Sequence, residues 1–188
     1  MDVGPNESDD RWGTWWAKLS YGVDSSGLAE IIGTWSDGIW YRDVAESKWT
    51  QMTTFTTTGD IAGGDFTGDG KADVASIWDN GLWYQDGATL TWTKISGPGA
   101  VYLTAGDVTG DGIDEIIGTW SSGIWYWDVA VSSWTQLTTG VTHGDIAAGD
   151  FTGDGKTDVA SIWPGGLWYQ DGATLAWTRI PGGAPNRV

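Results

Sequence analysis

A chain of 188 residues with 25 acidic and 9 basic side chains carries a net charge of −16, which excludes phosphate backbones and anionic headgroups as default partners because like charges repel. The absence of cysteine and the single histidine, His143, leave no disulfide framework, no thiolate metal site and little room for imidazole chemistry. Thirty glycines beside 16 tryptophans argue against long helices, where each glycine costs about 1 kcal/mol relative to alanine, and for short strands joined by turns.

Residues 1–15, opening MDVGPNESDDRWG, have neither the basic nor the apolar stretch of a signal peptide and read as an N-terminal extension. A first module, about 16–55, carries the runs EIIGTW, GIWYRD and KWTQM, rich in β-branched and aromatic residues. A second, about 56–98, carries GDIAGGD, DVASIW, GLWYQD and TWTKI. The third, about 99–140, returns to EIIGTW, GIWYWD and SWTQL, and the fourth, about 141–180, to GDIAAGD, DVASIW, GLWYQD and AWTRI. Residues 181–188 form a tail. No run approaches the roughly 20 apolar residues of a membrane span.

The modules are an internal repeat. A shift of 85 residues lays 59–95 onto 144–180 with six differences in 37 positions, and 30–51 onto 115–136. Asp65 to Asp107 is 42 residues and Asp107 to Asp150 is 43, so each unit halves again into an A-B-A-B order. Four short antiparallel strands in about 42 residues match a propeller blade. The expected fold is all-β, a β-propeller of four four-stranded antiparallel blades, closed alone or completed to eight by dimerisation; a sandwich or solenoid is the alternative.

Twelve of the sixteen tryptophans recur in register: Trp35, Trp78, Trp120 and Trp163 end the second strand, Trp40, Trp83, Trp125 and Trp168 lie in the third, and Trp49, Trp92, Trp134 and Trp177 in the fourth. Stacked blades need apolar faces on both sides, which large indoles fill, so these read first as packing residues. The functional alternative is a stacking platform for sugar rings. Trp12, Trp15, Trp16 and Trp127 break the pattern and are expected to be exposed. His143 replaces Thr58 of the earlier unit and reads as an exposed linker residue.

Three modules contain an acidic loop of fixed spacing: DFTGDGKAD from Asp65, DVTGDGIDE from Asp107 and DFTGDGKTD from Asp150. Calcium takes six to eight oxygens at about 2.3–2.6 Å, and a short loop supplies them from alternate positions. Positions 1, 5 and 9 are acidic in each: Asp65, Asp69 and Asp73; Asp107, Asp111 and Glu115; Asp150, Asp154 and Asp158. Position 3 is Thr67, Thr109 or Thr152, able to offer a hydroxyl or carbonyl, and position 7, Lys71, Ile113 or Lys156, offers only its backbone oxygen. Glycines at positions 4 and 6 permit the tight loop. Asp-Gly pairs also mark ordinary turns, but a turn does not require a third carboxylate at the same place in three copies. Magnesium fits less well, since it demands a strict octahedron and keeps its waters. In the first module the aligned loop GVDSSGLAE keeps only Asp24, Ser26 and Glu30, so a weak or empty site is expected there. Three divalent ions would bring the net charge from −16 to about −10, relieving self-repulsion.

The succession of apolar strand, DxTGDGxxD loop, VASIW or IIGTW strand and G[IL]WY strand resembles the FG-GAP repeat, also called the VCBS repeat, of integrin alpha-chain propellers and many secreted bacterial proteins. It is also similar to the calcium-binding propeller lectins of fungi, such as the Psathyrella velutina lectin. The resemblance covers about residues 16–180. It implies calcium in the loop between the first two strands of a blade, at Asp65, Asp69, Asp73 and their equivalents. Seven blades are usual in that family and four are counted here, and the tryptophan load is unusual, so no ligand site transfers to particular positions.

Catalysis needs an asymmetric constellation, whereas the acids here recur and metal accounts for them. The expectation is a non-enzymatic, calcium-stabilised multivalent binding propeller of lectin type, secreted or at the cell surface, where weak calcium sites fill. Its partners would be glycans or an extracellular protein ligand, with homodimerisation one route to a closed ring. The alternatives are a protein-interaction or adhesion scaffold and a non-catalytic propeller domain of a larger secreted protein.

Overall fold

The computed structural model describes residues 19–23, 29–44, 46–57, 59–97 and 99–182, and among these no helix occurs. Sixteen strands form four four-stranded sheets, each with its strands in sequence order. The first sheet holds β1 (Leu19–Val23), β2 (Ala29–Trp35), β3 (Gly38–Asp43) and β4 (Lys48–Thr53). The second holds β5 (Ile61–Gly64), β6 (Asp73–Trp78), β7 (Gly81–Asp86) and β8 (Thr91–Ser96). The third holds β9 (Leu103–Gly106), β10 (Glu115–Trp120), β11 (Gly123–Asp128) and β12 (Ser133–Thr138). The fourth holds β13 (Ile146–Gly149), β14 (Asp158–Trp163), β15 (Gly166–Gln170) and β16 (Trp177–Arg179). Every strand pair is antiparallel. These are the four meander blades that the repeat implies.

The inner strands are apolar on both faces, as strands sandwiched between layers must be. Ile116 and Ile117 of β10, adjacent and therefore on opposite faces, are both fully buried. The chain divides into two compact units, one of Met1–Asp65 with Asp69–Pro98, the other of Phe66–Gly68 with Gly99–Val188. In the first, Ile32, Ile39 and Met52 of the first sheet pack with Ile61 and Val74 of the second, flanked by Tyr41 and Trp92. In the second, the same positions one repeat later do the same: Ile117 and Ile124 pack with Ile146 and Val159, flanked by Tyr126, Leu137 and Trp177, and Val108 joins them. Each such aliphatic side chain contributes about 1.5–3 kcal/mol on burial. The A-on-B face is thus one interface built twice.

The turn between the third and fourth strands is also repeated. Ser47, Leu90, Ser132 and Leu175 occupy it with φ of 54°, 56°, 52° and 58°, a left-handed conformation in which Cβ crowds the following carbonyl. In the second sheet the buried Gln85 holds the turn, its Nε2 donating to Leu90 O and to Met52 O, each at 2.9 Å. Gln170 reaches Leu175 O at 3.0 Å in the same way.

Candidate metal and aromatic site

Each acid loop joins the first and second strands of its sheet: Asp65–Asp73 between β5 and β6, Asp107–Glu115 between β9 and β10, Asp150–Asp158 between β13 and β14. The glycines at positions 4 and 6 have positive φ in all three, 81° and 89° at Gly110 and Gly112, which turns successive amides inward onto the first carboxylate. Asp107 Oδ1 accepts from Gly110 N at 2.6 Å and Asp111 N at 3.1 Å, and its Oδ2 from Gly112 N at 2.9 Å. Asp150 repeats the pattern with the amides of Gly153, Asp154 and Gly155, and Asp65 with those of Asp69 and Gly70. The position-5 carboxylates of Asp69, Asp111 and Asp154 accept from the amides of Lys71, Ile113 and Lys156, each at 2.9 Å. The Lys156 side chain lies toward the middle loop, with Nζ 3.5 Å from Thr109 O.

The position-9 acid closes the loop from below. Glu115 Oε2 accepts from Val108 N at 2.7 Å and Thr109 N at 3.1 Å, while Thr109 Oγ1 donates to Oε1 at 3.1 Å. Asp158 Oδ2 accepts from Phe151 N and Thr152 N at 2.7 and 2.8 Å, and its Oδ1 from Gly172 N at 2.8 Å. Glu115 is 1% exposed, and burial pushes its carboxyl up to about 7 despite the amide bonds that favour its charge. A buried carboxylate in this state gains from a cation.

Among the described residues, three-acid groups with oxygens within 4.8 Å of one another form at two places. One is Asp107, Asp111 and Glu115, the set read from the sequence. The other is Asp154, Asp158 and Asp171, which substitutes Asp171 for Asp150. Two oxygens bound to one calcium ion lie at most about 5 Å apart, so both groups have the right span. The donors are all hard oxygens, and capacity remains: a carboxylate oxygen has two lone-pair sites, and Asp107 Oδ2, Asp111 Oδ1 and Glu115 Oε1 each accept one bond within the loop. These residues could hold a hard metal cation. Asp65, Asp69 and Asp73 are not drawn into such a group.

Asp171 escapes a reading by loop motif because it lies on the turn after β15, brought in by the bond from Gly172 N to Asp158. The signal available was its repeat position, since Asp86 precedes the Gly87 that bonds Asp73 Oδ1 at 2.7 Å. In the first module Gly22 and Val23, at loop positions 1 and 2, pair with Glu30 and Ala29, so the ladder runs on where the other modules open their loop. Asp24 and Ser26 lie outside the described residues.

The recurring tryptophans are partly buried, as packing indoles commonly are, and Trp92 and Trp177 flank the two cores. Of the twelve recurring ones only Trp40 is buried and the others are half-buried. Trp127, expected to be exposed, is half-buried as well, its ring 5.2 Å from that of Trp134. Trp12, Trp15 and Trp16 lie outside the described residues. In three sheets the third-strand indole is fixed by the preceding turn: Trp40 Nε1 donates to Asp37 Oδ1, Trp83 Nε1 to Asn80 Oδ1 and Trp125 Nε1 to Ser122 Oγ, at 3.0, 2.9 and 3.1 Å. A bulge immediately before each re-aims the strand. The fourth sheet has Gly165 at the acceptor position, and Trp168 Nε1 is buried without an acceptor. Each sheet gathers its indoles at close range, Trp78 lying 5.9 Å from Trp83 and 4.7 Å from Trp92, and Trp163 lying 5.8 Å from Trp168 and 4.3 Å from Trp177. Lys94 Nζ stands 5.6 Å over the Trp83 ring. His143 is exposed, its amide donating to Ile162 O at 2.8 Å.

No protein-family model matches the chain, and no curated protein sequence matches it. Among solved structures it is similar to TolB from Acinetobacter baumannii, 18% identical with a TM-score of 0.59 over 86% of this chain and 42% of that one. It is similar to the oligogalacturonate lyase of Vibrio parahaemolyticus, 10% identical with a TM-score of 0.53 over 84% and 51% of the two chains. A third likeness is to the extracellular domain of a putative one-component system from B. thetaiotaomicron, 13% identical with a TM-score of 0.52 over 91% and 23%. This chain thus spans about half or less of each protein's length. At these identities the similarity is one of fold, and the fold shared is the β-propeller.

Proposed function

We propose that the chain is a calcium-stabilised, multivalent binding propeller of lectin type, non-catalytic and extracellular, whose ligands are glycans held against its tryptophans. The observation that carries this reading is the recurrence of partly exposed indoles held in one orientation by the turn before them, at Trp83 and Trp125. An indole face already ordered loses little entropy when a sugar ring stacks its C–H face on it. Repetition supplies several equivalent weak sites, whose linkage raises avidity without new contacts.

The acid loops have the supporting role. The likeness of DxTGDGxxD to the FG-GAP repeat supports calcium as the ion, which Asp107, Asp111 and Glu115 would hold in one loop and Asp154, Asp158 and Asp171 in another. Bound there, calcium would neutralise the converging carboxylates and lock each loop between its two strands. Sites of this size in extracellular modules bind at about 10⁻⁴–10⁻³ M, which suits a compartment rich in calcium.

Two measurements test the reading. Native mass spectrometry with calcium and after chelation should show at least two ions per chain; none would overturn the metal assignment. A glycan array probed with calcium present should give binders whose addition shifts the tryptophan fluorescence. An array without binders, together with fluorescence indifferent to sugars, would overturn the lectin assignment in favour of a protein ligand.

A further inference from the structure

Asn80 is the one asparagine of the chain that is followed by glycine; Asn6 precedes Glu7 and Asn186 precedes Arg187. Asn80 lies on the turn from β6 to β7, exposed, with Gly81 buried beside it. The glycine is not exchangeable there. Gly81 has a φ of 136°, and a Cβ on it would run into Ser96 O of the neighbouring β8. The turn therefore keeps a peptide nitrogen with no side chain to shield it directly after a carboxamide. Gly38 and Gly123, the equivalents in the first and third sheets, are under the same constraint from Thr53 O and Thr138 O. The residues before them, Asp37 and Ser122, carry no carboxamide, and the fourth sheet has Gly165 there. The pair belongs to the second sheet alone.

The rest of the turn prepares the carboxamide for attack. Trp83 Nε1 donates to Asn80 Oδ1 at 2.9 Å, and since an indole nitrogen can only donate, the oxygen is the atom held on the ring edge. Asn80 Nδ2 donates to no protein group among the described residues. A donor on the carbonyl oxygen stabilises the negative charge that this oxygen takes up when a nucleophile adds to Cγ. The nucleophile is the next residue, so the reaction is intramolecular, with effective concentrations of about 10⁵ M or more in well-oriented cases.

We propose that Asn80 is a site of spontaneous covalent modification, deamidating through a cyclic imide with Gly81. Gly81 N bonds to Asn80 Cγ while the Trp83 indole holds the charge on Oδ1. Collapse of the adduct breaks the Cγ–Nδ2 bond, and Nδ2 leaves as ammonia with the proton that Gly81 N gives up. Water then opens the imide. Cleavage of the new Cγ–N bond leaves an aspartate at position 80; cleavage between the Asn80 carbonyl carbon and Gly81 N leaves isoaspartate, whose main chain runs through Cβ and Cγ. Either product carries one more negative charge than the parent. The aspartate is what the first sheet already uses, where Asp37 Oδ1 accepts from Trp40 Nε1 at 3.0 Å, so this product keeps Trp83 in place. The isoaspartate inserts a methylene into the main chain of the turn and releases the indole. The calcium and glycan assignments are independent of this chemistry and survive its failure.

The test holds the full chain at neutral pH over weeks and follows it by peptide mapping with mass spectrometry. The peptide containing Asn80 should exchange the mass of –NH2 for that of –OH and separate into two products of different retention, ahead of those containing Asn6 and Asn186. Trp83→Phe should slow the conversion about tenfold in the folded chain, the weight of one hydrogen bond, and should leave it unchanged in urea, where no turn holds the carboxamide. An Asn80 that stays intact, or converts no faster than Asn6 and Asn186, overturns the site. A folded Trp83→Phe chain that converts as fast as the parent overturns the part given to the indole.

Discussion

Glu115 bears the cost of the loop it closes. Its carboxyl is pushed from an ordinary 4.5 up to about 7 by burial, so in metal-free protein the folded state holds this proton more tightly than the unfolded chain does. The sign follows from linkage: the contribution to stability is complete below the unfolded value and is lost as pH rises through about 7. We expect urea unfolding in chelator to show stability falling between about pH 5 and 8 by a few kcal/mol, and Glu115→Gln to flatten that slope. Below this window the trend reverses at Asp171, whose carboxyl is held low by the Thr174 and Ala173 amides, so its contribution disappears on further acidification. The repeat also supplies its own control for the tryptophans. Trp83→Phe removes a hydrogen bond to Asn80, whereas Trp168→Phe removes a buried N–H that has no acceptor. Thermal unfolding should find the first substitution costlier than the second by about 1 kcal/mol.

At the scale of elements, the loops and turns spend backbone strain unequally. Gly110 meets its φ of 81° without a side chain, so Gly110→Ala should cost about 1–2 kcal/mol. Leu90 meets φ 56° with a Cβ, and Leu90→Asn, a residue that tolerates this region, should stabilise the chain by about 0.5–1 kcal/mol. Differential scanning calorimetry of the two variants should move the melting temperature in opposite directions. Much at this scale was legible in the sequence. The alternation of β-branched runs with Gly-rich turns marks the strands, and the DxTGDGxxD spacing marks the loops, because both are local chemistry. Asp171 was not legible as a partner of Asp158, since a turn two strands later brings it there through Gly172.

The whole molecule is governed by its charge. At −16 per chain, like charges on the folded molecule repel one another, and that repulsion is screened beyond about 10 Å at 0.1 M salt. We expect the melting temperature in chelator, followed by calorimetry, to rise as salt is raised from about 10 to 150 mM; a melting temperature that falls would mean that ion pairs outweigh this repulsion. Calcium bound as proposed would act on the same balance, and at about 10 to 100 times its dissociation constant it should add about 1.4–2.7 kcal/mol per site.

The interface built twice within the chain carries a hazard for folding. The downstream face of the first sheet finds nearly the same partner in the second sheet and in the fourth, since 59–95 and 144–180 differ at six of 37 positions. Contact chemistry hardly ranks the two, so the choice falls to the connecting chain. The join from Thr53 to Ile61 closes a far smaller loop than any route to Ile146, and the entropy of closure grows with the length enclosed. Sheets that emerge in order therefore capture their sequence neighbours first, and the spacing of the repeats acts as a proofreader that side chains this alike do not provide.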